Sequence, residues 1–166
     1  MEVSTRILIL LRHAKSDWSG DETDLDRPLA KRGRRQAPEA GRWLADHMGG
    51  IDLAVVSPAT RARQTWDLVS AELSTAPPTR FEDRAYAASA SALLDIVRTL
   101  PDDATRVVLV GHNPGLEDLA STLTGRLLSM PTSALAVVAL TRGWSRAGTF
   151  EADLLAFGRP PEGPPA

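Results

Sequence analysis

The stretch RILILLRHAK, residues 6–15, passes from an unbroken aliphatic run straight into Arg12, His13 and Lys15. Five consecutive aliphatic side chains at 7–11 suit a strand buried on both faces rather than one facing water. Two further runs have the same character, DLAVVS at 52–57 and RVVLVG at 106–111. None of the three alternates, so they are expected side by side in the centre of a mostly parallel sheet.

Working outward, ALAVVALT at 134–141 and TFEADLLAF at 149–157 read as two later strands. Gly143 and Gly148 between them suggest an antiparallel hairpin at the sheet edge, and a short strand is expected near 79–82. Helical stripes fill the gaps. Ala62, Thr65, Trp66, Val69 and Leu73 form one, Ala90, Leu93, Leu94 and Val97 a second, and Leu116, Leu119, Ala120 and Leu123 a third. A fourth helix is expected over about 31–48, with Pro38 kinking it or moving its start. The predicted class is α/β, a three-layer α/β/α domain over 1–157, followed by a disordered proline-rich tail at 158–166.

Composition limits the function. The 166 residues carry a net charge of −2, which argues against general attraction to nucleic acid or anionic membrane. The basic run KRGRR at 31–35 reads as a solvated helix face. There is no cysteine, hence no disulfide, thiolate nucleophile or cysteine metal site. The aliphatic run near the start is too short for a signal peptide or membrane span, so the chain is expected to be soluble and cytoplasmic.

The residues just past the three central strands carry the chemistry. Arg12-His13 comes after the first, Ser57-Pro58-Ala59-Thr60-Arg61 after the second, and Gly111-His112-Asn113-Pro114-Gly115 after the third. In a parallel sheet these are carboxyl ends, where open α/β folds bind ligands. Ser57-Pro58 and Asn113-Pro114 also resemble helix starts, which favour anions. Two arginines, two imidazoles and two helix N-termini at one edge suit phosphate. A metal site on His13 and His112, with Asp17 or Asp118, is disfavoured because the arginines repel a cation. A Ser57–His112 hydrolase couple lacks the Gly-x-Ser-x-Gly elbow. His47, before Gly49-Gly50, simply suits a helix C-terminus.

Three segments in this order resemble the histidine phosphatase superfamily, the phosphoglycerate mutase-like fold. They are LLRHAKS, VVSPATRARQT and VLVGHNPGLEDLA, and RHAKSDW in a short chain is most similar to the SixA-type phosphohistidine phosphatases. The resemblance implies that His13 is the nucleophile and that Arg12, Arg61 and His112 form the phosphate pocket. It adds the backbone N–H of Asn113 to that pocket and places Lys15 and Ser16 at its rim. Ala14 stands where the superfamily motif has glycine. EDRAY at 82–86 lies on the acid-bearing segment of larger members, which makes Asp83 the implied general acid with Glu82 beside it. Two solvated carboxylates on a turn are the alternative reading there.

The implied chemistry needs no metal or other cofactor. Neutral His13 attacks phosphorus, giving a phosphohistidine intermediate that water hydrolyses. Larger members roof their pocket with insertions, for which this chain has no room between 83 and 106. An open pocket suits a phosphorylated protein, such as a histidine-phosphotransfer domain. The alternatives are a phosphatase of small phosphoesters and a non-catalytic phosphate-binding module. Loops 14–30 and 125–133 are expected to hold the specificity.

Overall fold

Alternate side chains of strand β1, Arg6–Arg12, enter two different hydrophobic cores. In the computed structural model, which describes residues 5–162, Leu8 and Leu10 join one core while Ile9 and Leu11 join the other. Strand β4, Arg106–Gly111, divides Val107 and Leu109 from Val108 and Val110 in the same way. This explains the unbroken aliphatic runs: with a core on each face, neither parity of the strand sees water.

The first core is closed by α3, Ala90–Arg98, and α4, Gly115–Thr124, through Leu93, Ile96, Leu116 and Leu119. The second is closed by α1, Lys31–His47, and α2, Thr60–Ser70, through Ala37, Leu44, Trp66 and Val69. The remaining strands are β2, Leu53–Val56, β3, Thr79–Phe81, β5, Leu135–Leu140, and β6, Ala152–Gly158. Strand order is β3-β2-β4-β1-β5-β6. The first four in that order are mutually parallel; β5 is antiparallel to β1, and β6 to β5. The expected α/β/α sandwich is therefore present. No helix among the described residues is long and apolar enough to cross a membrane.

Several local expectations change. Helix α1 starts at Lys31 and runs through Pro38, so the proline does not move its start. Buried Ala37, Ala40, Gly41, Trp43 and Leu44 flank the proline, and their packing offsets the backbone bond it cannot make. Neither predicted cap forms: Ala59 and Pro114 occupy the N-cap positions of α2 and α4, and neither makes a side-chain cap. Leu73 lies past the end of α2 but still packs on its core. The expected antiparallel edge hairpin of β5 and β6 forms, and its link folds a 3₁₀ turn, Trp144–Arg146, that buries Trp144 completely. The indole N–H of Trp144 donates to Ala104 O at 2.7 Å. Gly158 belongs to β6, and buried Pro161 bridges back to it, so the ordered chain passes the expected start of the tail. The tail residues 163–166 lie outside the described residues.

Helices α1 and α2 pack closely at Gly41. A Cβ there would stand 2.5 Å from Val69 O and 2.9 Å from Glu72 Cβ, and backbone cannot yield cheaply. Gly41→Ala should destabilise the domain by about 1–3 kcal/mol, the usual cost of overpacking. The measurement is urea unfolding, and the expected result is a lower midpoint with an unchanged slope.

Candidate active site

Register brings the two strand-end histidines together. Arg12 pairs with Gly111 across β1 and β4, and His13 N–H donates to Gly111 O at 3.1 Å. His13 and His112 consequently stand with ring centroids 5.1 Å apart. Their strands leave the sheet on opposite faces, β1 toward α1 and β4 toward α4. The gap between them is therefore the switch point at which such sheets bind ligands.

Each ring is held by one nitrogen. His13 Nδ1 lies 2.7 Å from Ala14 O. A carbonyl only accepts, so the proton sits on Nδ1 and neutral His13 presents a bare lone pair at Nε2. His112 Nε2 lies 2.7 Å from Ser57 Oγ, while its Nδ1 is buried without a partner. The hydroxyl accepts from Ala59 N–H at 3.3 Å and keeps both its proton and a second lone pair, so it can pair with either tautomer of the ring.

Burial is the main cause that lowers the His13 pKa to about 3, helped by the neighbouring His112, Arg61 and Arg12 and opposed by the Ala14 hydrogen bond. Burial, then Arg61 and Arg12, lowers that of His112 to about 4. Both rings are therefore neutral at pH 7.

The arginines are fixed from outside the sheet. Arg12 Nη1 donates to Met130 O at 3.0 Å, and Asn113 Nδ2 donates to the same oxygen at 2.8 Å. Met130 N–H in turn donates to Glu117 Oε2 at 2.7 Å, so loop 125–133 is pinned against the site. Arg61, on the first turn of α2, gives Nη1 to Asp24 O at 2.6 Å and Nη2 to Asp24 Oδ2 at 3.1 Å. Thr65 ties this helix to the loop that follows His13: its hydroxyl donates to Arg61 O at 2.7 Å and accepts from Ala14 N–H at 2.9 Å. Burial pulls the pKa of both arginines below the ordinary value, yet guanidinium groups stay charged at pH 7.

An open cavity of about 460 Å³ lies here, lined by Asp24, Arg61, Tyr86, His112, Asn113, Pro114 and residues 87–89. A larger hollow of about 600 Å³ sits at the opposite, amino edge of the strands. Its Asp52 carboxylate accepts through Oδ2 from Thr105 N–H and hydroxyl and from Arg106 N–H.

Thus Arg12, His13, Arg61, His112 and Asn113 converge. Of these, Arg61, His112 and Asn113 line the cavity, and His13 stands behind His112; Lys15 is exposed, and Ser16 is buried in a bridge to Leu29. Asp83 stands exposed on a 3₁₀ turn, Asp83–Ala85, and does not line the cavity either. Glu82 is engaged by Arg84 at 2.9 Å. The cavity carboxylate is instead Asp24, and Tyr86 OH donates to its Oδ2. Sequence reasoning missed both. Asp24 is one of five acidic residues in 17–26, and nothing local distinguishes it.

The model of the histidine phosphatase superfamily (branch 1) matches residues 8–88. An uncharacterized protein of Mycobacterium tuberculosis is 34% identical over 146 residues, covering 81% of this chain and 90% of that one. This chain belongs to the histidine phosphatase superfamily. Among solved structures, one from Nakamurella multipartitia, assigned as a phosphohistidine phosphatase SixA, superposes with TM-score 0.85 at 28% identity. It covers 95% of this chain and 98% of its own. One from Agrobacterium tumefaciens with the same assignment has TM-score 0.80 at 28% identity, covering 92% and 97%. The histidine phosphatase family and its SixA neighbours support a phosphatase.

The two depressed histidine pKa values predict acid lability. Below pH 6.5 the unfolded chain takes up protons at both rings that the folded chain refuses, so stability falls as pH falls through 6.5 toward about 4. Above 6.5 neither ring contributes. Each should add about 1.4 kcal/mol per pH unit to the slope of unfolding free energy within that window. Urea titrations between pH 6.5 and 4.5 should show His13→Gln removing about one histidine's share.

Proposed function

We propose that this protein is a metal-independent phosphatase that works through a phosphoryl group carried on His13, and that its substrate is phosphohistidine on another protein. The observation that carries the reading is the state of His13. A buried, neutral imidazole with its proton fixed on Nδ1 offers Nε2 as a nucleophile between two guanidinium groups.

The donors define the steps. Arg12, Arg61 and His112 surround the transferring group and stabilise charge on its equatorial oxygens, the main work in phosphoryl transfer. In this reading Ser57 donates to His112 Nε2, and the ring proton on Nδ1, the nitrogen without a protein partner, goes to a phosphoryl oxygen. Water then attacks the phosphoryl-His13 and returns the ring to its starting state.

A protein substrate is supported by the openness of the site. From Asp83 to Arg106 the chain is occupied by the 3₁₀ turn, α3 and short connections, with no insertion over the cavity. The SixA assignments of the Nakamurella and Agrobacterium structures point the same way.

The test is turnover of an aryl phosphate in EDTA, quenched and analysed by mass spectrometry. A phosphoryl adduct on His13, absent from His13→Ala, is the expected result. Arg61→Ala should lower kcat by roughly 10²–10³, the cost of removing one preorganised donor. Phosphate binding without turnover of either an aryl phosphate or a phosphohistidine protein would overturn the reading in favour of a binding module.

A further inference from the structure

A phosphatase must also manage its leaving group, and Asp24 is the cavity carboxylate in position to do so. Its Oδ2 accepts from Arg61 and from Tyr86, and its Oδ1 from Arg27. A carboxylate offers about four lone-pair sites, so one remains on Oδ1. The side chain is 51% exposed and lines the cavity beside His112, against whose ring Tyr86 packs edge-on at 5.7 Å.

Two guanidinium partners favour the ionised form of this carboxylate. An ionised carboxylate cannot give a proton to a departing alkoxide. It can accept a hydrogen bond from a cationic leaving group. We propose that Asp24 is a specificity-determining residue that accepts the distal ring N–H of an N-phosphorylated imidazolium. This rests on the phosphatase reading above and names the residue that recognises the departing side.

The step then needs no acid from the protein. The His13 Nε2 lone pair forms the new N–P bond as the substrate P–N bond breaks, and that electron pair returns to the substrate ring nitrogen. The ring keeps its distal proton, hydrogen-bonded to Asp24, and leaves as neutral imidazole. In the second step a water oxygen bonds to phosphorus, the Nε2–P pair returns to His13, and both water protons leave on dihydrogen phosphate. Protons and electrons balance without a further reactant. The position of Asp83 outside the cavity fits this account.

The experiment compares kcat/KM for phosphoimidazole with that for its distal N-methyl analogue, which keeps the positive charge but has no N–H to donate. Wild-type protein should prefer phosphoimidazole by roughly tenfold or more, the share of a charge-assisted hydrogen bond. Asp24→Asn should lose most of that preference and Asp24→Glu should regain part of it. A merely structural Asp24, holding Arg61, would lower both substrates by one factor and leave the ratio unmoved. Equal ratios in wild type and Asp24→Asn, or no preference in wild type, would overturn the proposal. p-Nitrophenyl phosphate, whose leaving group needs no proton, separates the two levels. Its turnover without imidazole discrimination sinks the role of Asp24 alone, whereas no turnover of any of the three sinks the phosphatase reading.

Discussion

The parallel pairing of β1 with β4 sets Arg12 opposite Gly111, and the chemistry of the molecule hangs on that register. A slip of one residue would turn every side chain of β1 to the other face, exchanging the Leu8/Leu10 and Ile9/Leu11 sets between cores. The register is guarded on both sides, since β1 also pairs with β5 from Arg6↔Leu140 to Leu11↔Leu135. With a strand on each flank and a core on each face, β1 has no alternative position. His13 leaves this most constrained element after a single further hydrogen bond, which is why a one-residue extension can hold its ring in a fixed place.

Beyond the sheet edge, precision comes from polar cross-links rather than packing. Thr65 joins the loop that follows His13 to α2, Ser57 joins β2 to the imidazole of β4, and the Met130 peptide is gripped by Arg12, Asn113 and Glu117. Loop 125–133 is thus pinned by the Arg12 guanidinium at the sheet edge. Ser133 takes a left-handed conformation, φ 64°, and its N–H donates to both Arg12 O and His13 O. Backbone strain of this kind is tolerated where the surrounding contacts over-determine the site.

The architecture was legible because its cause is local: aliphatic runs without alternation announce strands covered twice. Arg12, His13, Arg61 and His112 were legible because strand ends in a parallel sheet share an edge. The cavity carboxylate was not. The segment 82–86 matches by residue type, yet its 3₁₀ turn leaves Asp83 in solvent, while Asp24 arrives from a loop whose path only tertiary contacts define. The helix caps failed for a related reason. Ser57 and Asn113 have side chains suited to caps, but α2 and α4 begin only at Thr60 and Gly115, so Ala59 and Pro114 take the cap positions. Thr65 misled differently, since it fits the apolar stripe by spacing while its buried hydroxyl bridges two elements.

Such departures from local preference concentrate where function is expected to cost stability. His112 Nδ1, Asn113 Oδ1 and Arg12 Nε are all buried without a hydrogen-bond partner. Each desolvated polar atom costs free energy unless something satisfies it. His112 Nδ1 and Arg12 Nε stand beside buried Arg61, whereas Asn113 Oδ1 calls for a donor. The same burial that disfavours imidazolium keeps the His13 lone pair available, which is the state the proposed phosphoryl transfer needs. Asp24 completes the balance from the open side. It holds Arg61 in place without closing the cavity, and half of its side chain remains in contact with solvent.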